Sequence, residues 1–166
     1  MSSWIRYFAY GSNLHPGWMR RRVPSARILG AATLPDHALA FRKRGRDGSA
    51  KSDAAPAADA VLPGAVYEMR ADDLPRLGAA EGGYRQGAVM VETAAGPVEG
   101  FAWFAREEHH VTGLPPWDWY VSLILEGARF HGLPESHRRW LAGVAAAPDP
   151  DPDRAALARA VLESDL

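Results

Sequence analysis

The hydrophobic pattern changes period near Trp117, and that switch narrows the possible folds more than any other feature of the chain. Upstream, short runs rich in aromatic and β-branched residues alternate with turn signals. Trp4 to Tyr10 runs into Gly11-Ser12-Asn13, and Arg27 to Leu34 is separated from His37 to Lys43 by Pro35-Asp36. Ala60 to Met69 carries Pro63-Gly64 as an expected bulge or edge feature, and Asp72 is the expected cap of a short helix to Leu77. Tyr84 to Glu92 and Val98 to Ala105 flank a turn at Ala94-Ala95-Gly96-Pro97. Downstream, Tyr120, Leu123, Ile124 and Gly127 fall on one helical face, Gly132 predicts its stop, and Pro134 opens a helix with Trp140, Leu141 and Val144 on its apolar side. A last helix is expected over Arg154 to Glu163, and one early helix starts at His15-Pro16-Gly17 and reaches about Arg22. Strands first and helices later predict an α+β fold rather than strict βαβ alternation. Six strand candidates are enough for a small barrel, although spacing alone does not require one.

A chain of 166 residues fits one domain, and at that size about 70% of the unfolded surface can be buried. The expected organisation is a domain over residues 1–145 and an acidic, Pro-rich segment with a C-terminal helix over 146–166. From Arg44 to Asp59 small and polar residues replace large apolar ones, which predicts a flexible surface loop at 44–59 inserted between strands. With 19 basic and 20 acidic residues the net charge is −1, so no global field draws a polyanion and a nucleic-acid partner is not expected. There is no cysteine, which removes thiolate nucleophiles, sulfur-based metal sites and disulfides. No run approaches the ~20 apolar residues of a membrane span, and Met1 to Tyr7 lacks the layout of a secretory signal. The expectation is a cytoplasmic protein with no membrane partner.

Three stretches stand out for chemistry. In Tyr10-Gly11-Ser12-Asn13-Leu14, a strand ends in small and polar residues before a helix, leaving backbone N–H groups free to hold a carboxylate, a phosphate or a developing oxyanion. An ordinary strand-to-helix turn has the same composition. Glu81 stands in Ala79-Ala80-Glu81-Gly82-Gly83-Tyr84-Arg85, between small residues at the mouth of an apolar strand. Partial burial there would raise its pKa into the range of a general base, while a solvated loop glutamate is the plainer alternative. Tyr120, after Pro115-Pro116-Trp117-Asp118-Trp119, sits at a helix start and either packs in the core or turns its hydroxyl into a pocket.

Taken in order, these motifs resemble the γ-glutamylcyclotransferase-like family. The resemblance covers about residues 5–142 and rests on Tyr10 to Leu14, then Glu81-Gly82 with Tyr84-Arg85 and an apolar strand, then Tyr120, Gly127-Ala128 and Gly132-Leu133-Pro134. The spacer between Glu81-Gly82 and Tyr84 is short compared with many members. What the resemblance implies is a mixed β-barrel of about six strands flanked by helices. Its cavity would take a small-molecule γ-glutamyl substrate, with Glu81 as general acid/base. Tyr10, Gly11, Ser12, Asn13 and Leu14 would hold the substrate, and Tyr120 would orient it. The implied reaction is intramolecular aminolysis of the acyltransferase or lyase type, closing 5-oxoproline and releasing an amine, without metal or cofactor. A non-catalytic small-molecule binder of the same fold is the alternative.

Other clusters carry less. Glu107-Glu108-His109-His110 matches no recognised ligand spacing. Arg20-Arg21-Arg22 points to several sides of one helix and reads as a solvated face. No Gly-rich nucleotide loop is present.

Overall fold

The computed structural model describes residues 2–166. Five strands, β1 (Trp4–Ala9), β2 (Arg27–Arg44), β3 (Ala50–Arg70), β4 (Tyr84–Thr93) and β5 (Gly96–Ala105), close into a barrel in the order β1-β3-β2-β4-β5. Neighbours are antiparallel except where β5 meets β1 in parallel at Tyr7 and Phe101, so the barrel is mixed. The helices are α1 (Pro16–Arg22), α2 (Leu74–Ala79), α3 (Asp118–Phe130), α4 (Glu135–Ala142) and α5 (Pro152–Leu162). Phe8, Leu34, Leu62 and Val66 of the barrel form one core with Leu14, Tyr120, Ile124 and Leu141. No helix among the described residues is long and apolar enough to cross a membrane.

The strand count is five rather than six because Pro35-Asp36 does not break the second strand. The β2–β3 ladder shifts register there, pairing Pro35 with Val61 and then His37 with Pro56. Asp36 and Asp59 face each other in left-handed conformations, and Asp36 Oδ1 accepts the Asp59 N–H at 3.1 Å. A short polar side chain that tolerates this backbone locks the irregularity into a bulge. The expected flexible loop at 44–59 is corrected for the same hairpin: only residues 45–49 form a turn, and Ala50 onward is strand. Ser52, Asp53 and Ala54 are buried despite their size and polarity. Asp53 accepts from the Ala105 N–H at 2.8 Å and from Arg42 Nε at 2.7 Å, which satisfies a carboxylate the sequence reads as loop-like.

Pro63-Gly64 stays within β3 instead of bulging. Pairing with β1 ends at Ala65, so the missing Pro63 N–H forfeits no ladder bond on that side. Gly64 lies under Phe8, where a Cβ would sit 2.6 Å from the ring.

The acidic segment docks through one buried carboxylate. Asp149 accepts from Trp119 Nε1 at 2.8 Å and from Arg154 Nε and Nη2 at 2.6 Å each, and Ala147 exchanges backbone bonds with Pro116 and Asp118. These bonds tie α5 to the start of α3. The Arg154 pair holds the Asp149 carboxyl well below the usual aspartate value of 3.8. A depressed folded-state pKa contributes stability above the unfolded value and loses it as pH falls. Asp149→Asn is therefore expected to lower the thermal midpoint at pH 7, with the deficit against wild type narrowing once the pH drops below about 4. Thermal melts from pH 7 to pH 3 check this.

Candidate active site

Between β1 and α1 the chain crosses the mouth of the barrel as a 3-10 turn, Ser12–Leu14. The Leu14 N–H donates to the Gly11 carbonyl and the His15 N–H to the Ser12 carbonyl, which leaves the N–H groups of Ser12 and Asn13 without an acceptor inside the turn. Helix α3 supports this turn from below. A Cβ on Gly127 would lie 2.6 Å from the Leu14 carbonyl carbon and 2.7 Å from His15 N, so only glycine permits the approach. The Leu14 carbonyl accepts from Tyr67 Oη at 3.2 Å and from His131 Nε2 at 2.9 Å. Gly132, at φ +65, ends α3 just beyond that histidine.

The turn faces a small polar chamber that opens into a cavity of about 260 Å³. Glu81, Ser12, Tyr84 and Tyr120 line both compartments. Glu81 follows α2, with its N–H bonded to the Gly78 carbonyl at 3.0 Å and its side chain 12% exposed. Its Oε1 accepts from Asn13 Nδ2 at 2.9 Å and lies 3.5 Å from Arg22 Nη1, which also donates to Asn13 Oδ1 at 2.8 Å. Burial raises the Glu81 pKa above its ordinary value, against the opposing pull of Arg22, the Asn13 bond and Lys43. The result is a carboxyl group that gives up its proton less readily than a surface glutamate.

Across the chamber, Tyr120 Oη accepts the Ser52 N–H at 3.0 Å and shares a hydrogen with Ser52 Oγ at 2.8 Å. Tyr84 Oη donates to the Ser52 carbonyl at 2.6 Å. Gly11 lies against this pair, and a Cβ there would stand 2.2 Å from Ser52 Oγ.

The structure thus brings Gly11, Ser12, Asn13, Glu81 and Tyr120 to one chamber. Tyr10 lines it with its ring while its hydroxyl donates to the Trp103 carbonyl. Leu14 departs from the expected role: its side chain is fully buried in the core, and only its backbone serves the turn. Several wall residues escape sequence reasoning. Arg22 belongs to an arginine run expected to be solvated, yet it turns inward onto Asn13 and Glu81. Ser52 lies in the stretch expected as a loop, and nothing local marks Lys43 as buried. Glu107–His109 form a separate 3-10 turn. Among the described residues no group of three or more His, Cys, Asp or Glu is placed to hold a metal ion.

The AIG2-like family model matches residues 62–141. Among solved structures, one named gamma-glutamyl cyclotransferase superposes with a TM-score of 0.84 at 23% identity, covering 95% of this chain and 99% of that one. A human protein described as uncharacterized gives a TM-score of 0.82 at 24% identity, with coverage of 94% and 98%. A yeast gamma-glutamyl cyclotransferase specific to glutathione gives 0.56 at 14% identity, with 96% of each chain covered. No curated protein sequence matches. The fold is therefore the one these solved structures share, among them the one named gamma-glutamyl cyclotransferase. The match over residues 62–141 and this fold agree with the order of the motifs.

The fit of Gly11 against Ser52 generates a prediction. Gly11→Ala forces the Ser52 hydroxyl away from Tyr120 and should destabilise the protein by about 1–3 kcal/mol in urea unfolding, the usual scale of overpacking. Ser52→Ala removes the clashing oxygen, so the Gly11→Ala/Ser52→Ala double variant should lose less than the sum of the two single changes. Strict additivity would contradict the contact.

Proposed function

We propose that this protein cyclises the γ-glutamyl group of a γ-glutamyl amide or peptide to 5-oxoproline and releases the free amine. The observation that carries this reading is Glu81: a largely buried carboxyl of raised pKa, hydrogen-bonded to Asn13, beside a turn whose N–H groups of Ser12 and Asn13 lack acceptors within it. Two of the solved structures with this fold are named gamma-glutamyl cyclotransferases, which supports the same direction.

The chemistry needs little more than these groups. Held in a curled pose, the substrate's α-amine lies next to its own γ-carbonyl, and such positioning is worth effective molarities on the order of 10⁵–10⁸ M. Glu81 in its carboxylate form takes a proton from the α-ammonium. The freed amine forms a bond to the γ-carbon, and the carbonyl oxygen gathers negative charge facing the N–H groups of the turn. As the intermediate collapses, Glu81 returns the proton to the leaving nitrogen, the bond from the γ-carbon to that nitrogen breaks, and the extra proton left on the ring nitrogen passes through the same carboxyl to the released amine, which departs as an ammonium. One carboxyl group completes the cycle, and no enzyme nucleophile is required. Tyr120 and Ser52 close the far side of the chamber and fix its shape.

Glu81→Gln keeps the shape and an acceptor for Asn13 but cannot take the proton. Its turnover should fall about 10²–10⁴-fold with a much smaller change in substrate affinity, the usual worth of a positioned acid/base. In the wild type, kcat/KM should decline on the acid side as Glu81 becomes protonated, with that limb above the ordinary glutamate value of 4.5. The limb should vanish from any residual activity of Glu81→Gln. Turnover within a few-fold of wild type, in a variant whose circular dichroism matches, would place the proton carrier elsewhere.

A further inference from the structure

The barrel opens along one seam. Between β2 and β4 the register partners are Thr33 and Glu92, and past that pair β2 continues with β3 while β4 stays with β5. The diverging strands flank a cleft of about 720 Å³. None of its lining residues lines either compartment of the Glu81 cavity. Strand β3 separates the two spaces: Ser52 lines the inner chamber and its neighbour Asp53 lines the cleft, as alternation along a strand requires. Charged and apolar groups are segregated along the cleft. Arg42, Arg85 and Arg106 line the end near Ala105, and Leu34 and Val89 carry the barrel core to the surface at the other. Phe104 lies between them. Its ring crosses Gly87, where a Cβ would sit 2.7 Å from Cε2, and the His37 ring stands 5.7 Å from its centre.

The guanidinium groups at the polar end keep their donors available. Arg42 gives Nε to Asp53 at 2.7 Å, and its two terminal nitrogens have no hydrogen-bond partner among the described residues. Asp53 is itself satisfied by that bond and by the Ala105 N–H. The Arg85 guanidinium lies 4.9 Å from the centre of the Phe104 ring, and such stacking orients it without using its N–H groups. Glu107 and Glu108 are exposed at the rim and form no ion pair with these arginines among the described residues. Planar, unpaired guanidinium forks match a carboxylate, and the apolar floor leading away from them matches a hydrocarbon body. The volume lies within the range of about 300–1,000 Å³ usual for small-molecule sites.

We propose that the cleft between β2 and β4 is a second ligand site, which takes a small organic carboxylate with an apolar body. Its head is held by Arg42 and Arg85, and its body lies over Phe104 toward Leu34 and Val89. The assignment is independent of the chemistry at Glu81. The test titrates octanoate, and octanol as its uncharged counterpart, into the isotope-labelled full chain and follows backbone amide signals. With octanoate in the millimolar range, the amides of Gly87, Val89 and Phe104 should shift saturably while those of Ser12 and Gly82 stay in place. Octanol should bind about tenfold more weakly, the scale of one charge-assisted hydrogen bond. Arg85→Glu, at an exposed position outside the Glu81 cavity, should weaken octanoate by a similar factor and leave octanol unchanged. Arg85→Gln, a milder change, should weaken octanoate a few-fold in a chain whose thermal midpoint matches wild type. Equal affinity for the two probes, or octanoate affinity unmoved by both Arg85 variants, overturns the proposal. Shifts centred on Ser12 and Gly82, which would place the anion in the Glu81 cavity, or no saturable shift at all, overturn it equally.

Discussion

Everything at the cavity depends on how tightly the chain is held where it passes from β1 to α1. The Leu14 carbonyl accepts two side-chain donors, Tyr67 and His131, which fills both of its lone pairs. Its side chain is locked in the barrel core, and α3 presses on its backbone through a glycine. From above, the Ser52–Tyr120 pair abuts Gly11. A turn clamped on both sides presents its N–H groups in one fixed orientation, which electrostatic stabilisation of a developing oxyanion requires. The Asn13 side chain then carries that rigidity to Glu81 and Arg22.

The second constraint is an electrostatic balance. Burial disfavours the charged form of Glu81, and a permanently neutral acid could not accept a proton. Arg22, the Asn13 amide and Lys43 each favour the charged form, while desolvation outweighs them.

Much of this arrangement was legible in the sequence, and the reasons for the remainder are physical. The motifs at Tyr10–Leu14 and Glu81 combine small residues with polar groups at the end of an element, a local signal, while Tyr120 was marked by its place at a helix start. The α+β order and most helix limits follow from periodicity and from Pro and Gly punctuation, although α4 stops at Ala142, short of the expected Val144, and α5 opens at Pro152 rather than Arg154 because Asp151 caps it. The hairpin from Ala50 to Asp59 was not legible, because its small and polar residues are satisfied by partners far along the chain, Ala105 and Tyr120 among them. Arg22 was hidden for a related reason: of three consecutive arginines, only its place at the end of α1 brings it to Asn13. Leu14 matches its motif, yet it acts through its carbonyl and its packing rather than by touching the cavity.

The central claim is that the substrate's own amine, not water, attacks the γ-carbonyl. Mass spectrometry of the products formed from γ-glutamyl amides in heavy-oxygen water tests this directly. Ring closure predicts unlabelled 5-oxoproline and free amine in equal amounts. Glutamate carrying the heavy oxygen would mean hydrolysis and would contradict the account.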